Sequence, residues 1–424
     1  MGLQTVLFSC VCLLFAGGSN AGATQGGKYV GHSGSPVFHG TRSSETGRHL
    51  VNLGDVNGDG LDDLAVSSWE WQPEQPDRGT LSIGKIYVLS AEQQTLIAEA
   101  TGDEIDARLG TDVVAVGDLD GDGSGDFMAA GRGKVRVLSG KTGADLISLD
   151  QHPDRFSVIW PVAALGDLDG DGRHDLLVAV KAVAGDMAKM QVLSNRTGEL
   201  LRTNTVWSLL ENVVAVSELP QTSAKSTRTF AVAIAPSRGE SEILIVSESG
   251  RRIEKRFPAK LSTWSVPTSA GDFDGDGTED ILVGDREDNS KGPDAGVARV
   301  YSGENGEVLL EVFGTSEETG NRRDRLGGAV AGGGDLNGDR KPDLLVGATG
   351  AVNSSGRVYA FSGGDGQLLA TYTGDPEGDL FGTAVAFLGD LNGDGLDDFA
   401  ASASQGGLQK GGYVMIFRSQ VHGR

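Results

Sequence analysis

Gly389 to Asp398 reads GDLNGDGLDD, and near copies of its core begin at Asp55, Asp118, Asp167, Asp272, Asp335 and Asp390. Counting from each first Asp, position 3 is Asn57, Asp120, Asp169, Asp274, Asn337 or Asn392, and position 5 is Asp59, Asp122, Asp171, Asp276, Asp339 or Asp394. Position 9 is Asp63, Asp126, Asp175, Asp280, Asp343 or Asp398; glycine fills position 4 in every copy and position 6 in five. Carboxylates crowded into one tight loop repel one another and hold each other's protons unless a cation neutralises them. Ca2+ suits the spacing, because it takes six to eight oxygens in a flexible geometry, whereas Mg2+ demands a near-ideal octahedron and keeps its waters. Position 7 is Leu61, Ser124, Arg173, Thr278, Lys341 or Leu396, a variability expected where only the backbone carbonyl coordinates. The reading is therefore of six cages holding up to six Ca2+. The cage at Asp335 is expected to be the weakest, because Arg340 replaces the position-6 glycine and Lys341 adds positive charge beside the ion.

An EF-hand loop starts the same way but closes with a bidentate Glu at position 12, between two helices. Here position 12 is Val66, Ala129, Val178, Val283, Val346 or Ala401, none of which binds a metal. Position 9 closes the cage instead, and a β-type run such as DLLVGA (343–348) follows it.

The first-Asp spacings are 63, 49, 105, 63 and 55, so the long gap should hide a decayed copy. Residues 212–219, NVVAVSEL, align with 112–119, DVVAVGDL, which places Glu218 at position 1; Pro220, Gln221 and Thr222 follow where a cage would be. Seven units result, six of them with a cage. Each unit shows four β-type runs, in the sixth 329–335, 343–349, 357–363 and 367–374, the last two joined by a Ser-Gly-x-x-Gly turn. Four strands per unit at this period predict an all-β, seven-bladed propeller of four-stranded antiparallel blades. The last unit stops after its third run, 413–417, and residues near 35–40 read as the missing fourth, so the N-terminal strand is expected to close the ring inside the last blade.

These residues reach a family. Phe381 to Asp398, FGTAVAFLGDLNGDGLDD, resembles the FG-GAP repeat of the integrin alpha-subunit propeller and of related bacterial secreted proteins, with near matches at 326–345 and 109–127. The resemblance covers about residues 33 to 420. It implies Ca2+ in the loop between the first and second strands, on one face, and ligands on the opposite face.

The formal charge of −23 argues against nucleic acid and anionic membrane surfaces as partners. Six divalent cations would offset roughly half of it. Residues 1–21 carry no ionisable side chain and an apolar core, and read as a secretory signal peptide that contains both cysteines, Cys10 and Cys12. The expected organisation is a signal peptide over 1–21, a linker over 22–32, the propeller over 33–418 and a tail over 419–424. The mature chain has no apolar run that could span a bilayer, and its expected location is extracellular or periplasmic.

All five tryptophans map by offset to the face opposite the cages. Trp69 and Trp71 sit in the loop between the second and third strands of blade one; Trp160, Trp207 and Trp264 precede the first strands of blades three, four and five. They are candidates for a ligand surface for an extracellular protein or glycan, or for packing at the blade entrances. No GxSxG, HExxH or phosphate-binding glycine loop occurs, so no catalytic residue is assigned. The chain reads as a binding or adhesion-like module. A carbohydrate-binding lectin and an enzyme acting on polysaccharide at the propeller face, a lyase or glycosidase, are the alternatives.

Overall fold

The computed structural model describes residues 30–31, 38–73, 82–104, 106–132, 134–149, 158–181, 189–196, 199–201, 207, 210, 213–219, 228–236, 240–262, 265–315, 323–363, 365–374, 378–407 and 410–419. The segment read as a signal peptide lies outside them. The strands form seven separate sheets arranged as successive blades. Blade one, for example, is Leu50–Gly54, Asp63–Ser68, Lys85–Ser90 and Leu96–Thr101, each strand antiparallel to the next. Blade six is Leu326–Gly334, Asp343–Ala348, Arg357–Phe361 and Leu368–Thr373, with the two residues Val30–Gly31 added in parallel to its outer strand. Three strands are described in blade three, Val158–Ala164, Leu176–Lys181 and Lys189–Leu193. A single bridge from Leu193 to Leu200 follows where a fourth would lie.

Burial explains the composition of each run. The second strands of blades one, two, four, five, six and seven are buried at every position, because a neighbouring blade covers each face, so they read as unbroken small and apolar runs instead of alternating ones. The outer strands have one open edge and are exposed at several positions, as in Leu96–Thr101. The cores lie between blades. Leu53, Ala65 and Ile86 of blade one pack on Val113, Phe127 and Leu138 of blade two. Between blades six and seven, Phe399 stacks on Phe417 with ring centroids 4.8 Å apart, and Tyr372 meets both edge-on.

The Phe-Gly pair at a blade entrance locks one blade to the one before it. Phe381 bridges Gly356 in parallel and is 1% exposed in the core between blades six and seven. Gly382 follows with φ +83, and a Cβ there would come within 2.4 Å of the Arg357 carbonyl oxygen, so only glycine fits. Leu109 with Gly84 and Leu326 with Gly296 repeat the bridge.

The N-terminal segment closes the ring. Phe38–His39 is the outer strand of blade seven, with Phe38 opposite Val414 and His39 opposite Tyr413. The chain then crosses to blade one, where the Gly47 amide donates to the Ser67 carbonyl while Ser402 Oγ of blade seven donates to the Gly47 carbonyl. Phe38 also packs on Tyr87 of blade one, with centroids 4.7 Å apart. One segment thus holds both sides of the seam. Phe38→Ala should cost on the order of 2 kcal/mol in equilibrium unfolding, somewhat less than truncation of a fully buried Phe; an unchanged transition would mean that the seam does not depend on this strand.

Candidate metal centres and the opposite face

Strand direction alternates within a blade, so the loop from first to second strand and the turn from third to fourth lie at one end, and the remaining loops at the other. All six acidic loops therefore share one face.

The same hydrogen bonds build each loop. The position-6 amide donates to Oδ2 of the first Asp at 2.7–3.0 Å, from Gly60, Gly123, Gly172, Gly277, Arg340 and Gly395. The position-5 amide donates to Oδ1 at position 3 over 2.8–3.1 Å. The position-7 amides of Leu61, Ser124, Arg173, Thr278, Lys341 and Leu396 donate to Oδ1 at position 5 over 2.6–3.0 Å. The position-2 amide donates to Oδ2 at position 9 over 2.8–3.0 Å. Backbone amides thus aim the acidic side chains into one small volume. Positive φ at positions 4 and 6 makes the curl, as in Gly58 (+81) and Gly60 (+88). Arg340 adopts φ +64 at position 6, a left-handed conformation that costs a side-chain-bearing residue roughly 1–2 kcal/mol.

These oxygens fit a hard cation. One ligand oxygen from each of Asp118, Asp120 and Asp122 lies within 4.8 Å of the others, and the same holds for Asp167, Asp169 and Asp175 and for Asp272, Asp274 and Asp276. Asp175 Oδ1 and Asp272 Oδ1 are buried with no hydrogen-bond partner among the described residues, an expensive arrangement for a carboxylate that a cation would relieve. Burial, opposed by the amides it accepts and reinforced by neighbouring cage carboxylates, pushes the position-9 carboxyl up, to about 6 for Asp63, Asp126 and Asp280 and about 7 for Asp343. Asp398 is likewise pushed up to about 7 by burial. At position 1, the amides of Gly172, Gly170 and Asp171 hold the exposed Asp167 below the usual carboxylate range. In the copies with Asn at position 3, the Asn57 and Asn337 amides donate to Asp59 and Asp339. The Asn392 amide turns to the Ser419 carbonyl.

Position 9 also has a duty that spacing alone did not reveal. Its Oδ1 accepts from the turn between third and fourth strands, from Gly140 to Asp126, Gly303 to Asp280 and Gly363 to Asp343, and in blade seven from Ser419, just after the third strand, to Asp398. The Ser-Gly turn is thereby tied to the cage of its own blade. Positions 7 and 8 tie the cage to the preceding blade. Ser124 Oγ donates to the Val56 carbonyl, Leu396 is buried with Leu336, and the Asp397 carboxylate accepts from the Asp335 amide at 2.7 Å. The position-8 side chain varies from copy to copy, so no repeated signal marked it.

Blade four differs. Its first hairpin is Val213–Leu219 and Thr229–Ile234, with Glu218 at the end of the first strand, as the alignment required. Arg228, just before the second strand, donates from Nε to Glu248 Oε1 at 2.7 Å and from a terminal nitrogen to Glu218 Oε1 at 3.2 Å.

On the opposite face, Trp69 and Trp71 are half-buried beside each other in the loop after Asp63–Ser68. Trp69 Nε1 donates to Glu45 at 3.0 Å with Arg108 5.3 Å from the ring, and Lys85 lies 4.8 Å from the Trp71 ring. Trp207 is fully buried and meets Phe230 edge-on at 5.7 Å, so it packs in the core between blades three and four and presents no surface to a ligand. The Trp160 backbone pairs with Ala179 in blade three, and Trp264 lies outside the described residues. Among the described residues, Trp69 and Trp71 share one loop on this face.

The comparisons agree with this architecture. The family model described as FG-GAP repeat matches residues 326–361 and 381–417, blades six and seven. Integrin alpha-5 of Xenopus laevis is 33% identical over 181 residues, 38% of this chain and 16% of that protein. Integrin alpha-IIb of Mus musculus is 43% identical over 102 residues, 21% of this chain and 10% of that protein. The chain thus covers only a small part of the length of these relatives. Among solved structures, BBS1N in complex with ARL6DN aligns over 87% of this chain and 90% of its own with a TM-score of 0.50 and 10% identity, a likeness of fold alone. The chain carries FG-GAP repeats over blades six and seven and folds as an integrin-alpha-like, seven-bladed β-propeller.

Proposed function

We propose that the protein is a secreted, Ca2+-stabilised propeller that serves as a binding module, presenting the face opposite its acidic loops to an extracellular protein or glycan. The observation that carries the metal half is the amide network repeated in all six loops, which in three of them goes with carboxylate oxygens held within 4.8 Å of one another at a cost in mutual repulsion. Residues 55, 57, 59, 61 and 63, and their counterparts in the other loops, would supply the oxygens, the position-7 residue through its carbonyl. An ion present at about 100 times its dissociation constant stabilises by about 2.7 kcal/mol, a large share of a typical net stability of about 5–15 kcal/mol. The integrin alpha relatives support an adhesion-type role. No helix among the described residues is long and apolar enough to cross a membrane, which is compatible with secretion.

Trp69 and Trp71 are the proposed contact point, because two half-buried aromatic rings, each with a cation nearby, offer apolar area rimmed by charge. Glycan and protein arrays, run with Ca2+ and with chelator, should identify the ligand class. Replacing both tryptophans by alanine should abolish that signal without lowering the melting temperature in Ca2+ by more than a few degrees. Retained binding would remove these residues from the site.

Protons and cations should compete for the cages. A carboxyl whose folded-state pKa is raised to about 6–7 from 3.8 favours folding when protonated, and that contribution is lost as pH climbs through 6–7. In chelator the melting temperature should therefore fall between pH 5 and pH 8, and millimolar Ca2+ should suppress the fall; a flat chelator profile would contradict this. In millimolar Ca2+, Asp390→Ala should lower the melting temperature more than Asp335→Ala, because the Asp335 loop already carries the strained Arg340. Equal losses would remove the ranking.

A further inference from the structure

The fourth blade has lost the acidic loop, yet two carboxylates still meet at the corresponding place. Glu218 stands at position 1, and Glu248 stands in the turn between third and fourth strands, where other blades have the glycine whose amide caps position 9. Arg228, at the start of the second hairpin strand, lies between them. It reaches Glu248 with Nε at 2.7 Å and with a second nitrogen at 2.5 Å, and Glu218 at 3.2 Å. The Glu248 amide completes the contact by donating to the Arg228 carbonyl at 2.9 Å.

The same group touches blade three at two points. An Arg228 terminal nitrogen lies 3.3 Å from His174 Nδ1, and His174 is position 8 of the blade-three loop. At the other end of that loop, a Cβ on Gly166 would come within 3.2 Å of Glu248 Oε1, so the carboxylate rests against the residue that precedes Asp167. The Arg228–Glu248 pair therefore braces both the entry and the exit of the loop that gathers Asp167, Asp169 and Asp175.

We infer that the Arg228 guanidinium is a built-in cation that takes over, in blade four, the place of a metal ion, and that through Glu248 it positions the blade-three cage. A guanidinium supplies fixed positive charge and a planar fork of donors that suits carboxylates, and it needs no ion from solution. The first half stands on the contacts alone; the second half rests on the calcium reading above. Arg228 is a positioning residue here, since it acts on the ion through Gly166 and His174 and offers the ion no ligand.

The test uses the full chain with Arg228→Met, which keeps bulk and removes charge, and Glu248→Gln, which keeps shape. The melting temperature in chelator reads the clamp, and calorimetric Ca2+ titration reads the cages, with Asp167→Ala identifying the blade-three component. Arg228→Met should lower the melting temperature in chelator and weaken the blade-three component by at least about tenfold, as loss of outer partners does at metal sites, leaving the other components unchanged. If Arg228→Met does not fold, Glu248→Gln should show the same pattern more mildly. A wild-type melting temperature in chelator would overturn the built-in cation, and an unchanged blade-three affinity would overturn the positioning role. If the wild-type protein binds no Ca2+, the calcium reading fails with it, and the melting temperature in chelator alone decides the clamp.

Discussion

Six hairpins each carry three or four carboxylates in one tight loop, and in three of them three ligand oxygens lie within 4.8 Å of one another; electrostatic repulsion within those loops is the constraint to which the rest of the ring answers. Backbone amides at positions 2, 5, 6 and 7 aim the oxygens inward, so the loop is shaped before any cation arrives. Such preorganisation moves ordering cost from binding to folding. It also leaves buried position-9 carboxyls whose burial pushes them up, to about 7 for Asp343 and Asp398.

The cages are not appendages. In blades two, five and six position 9 holds the turn of its own blade, and in blades two and seven position 7 or 8 meets the preceding blade, so the loops join several elements at one corner. A propeller blade makes few contacts beyond its two neighbours, and its cohesion resides in those seams. On one face the seams are acidic loops, and on the other they are the Phe-Gly entrances such as Phe381–Gly382. The N-terminal strand supplies the remaining join, between the last blade and the first.

The blade count, the ring closure and the decayed fourth unit were legible in the sequence, because a motif with fixed spacing records its own absence. The match to 112–119 by itself places Glu218 at position 1. The role of Arg228 is not legible in this way, since its partner Glu248 lies 20 residues away and its second neighbour His174 belongs to another blade. The tryptophans show the same limit. Offsets put all five on one face, yet Trp207 is interior, because a residue before a first strand can turn inward between two blades, as it does against Phe230 in the core shared with blade three. Periodicity specifies position along a strand but not the direction of an irregular entrance segment.

In the proposed account the position between first and second strands calls for positive charge, from a metal ion in six blades and from the Arg228 guanidinium in blade four. Diffraction from crystals grown in Ca2+, with anomalous differences measured, tests this most directly. The account predicts one anomalous peak inside each of the six acidic loops and none in blade four, where Arg228 should remain between Glu218 and Glu248. Acidic loops without peaks in crystals at saturating Ca2+ would contradict it.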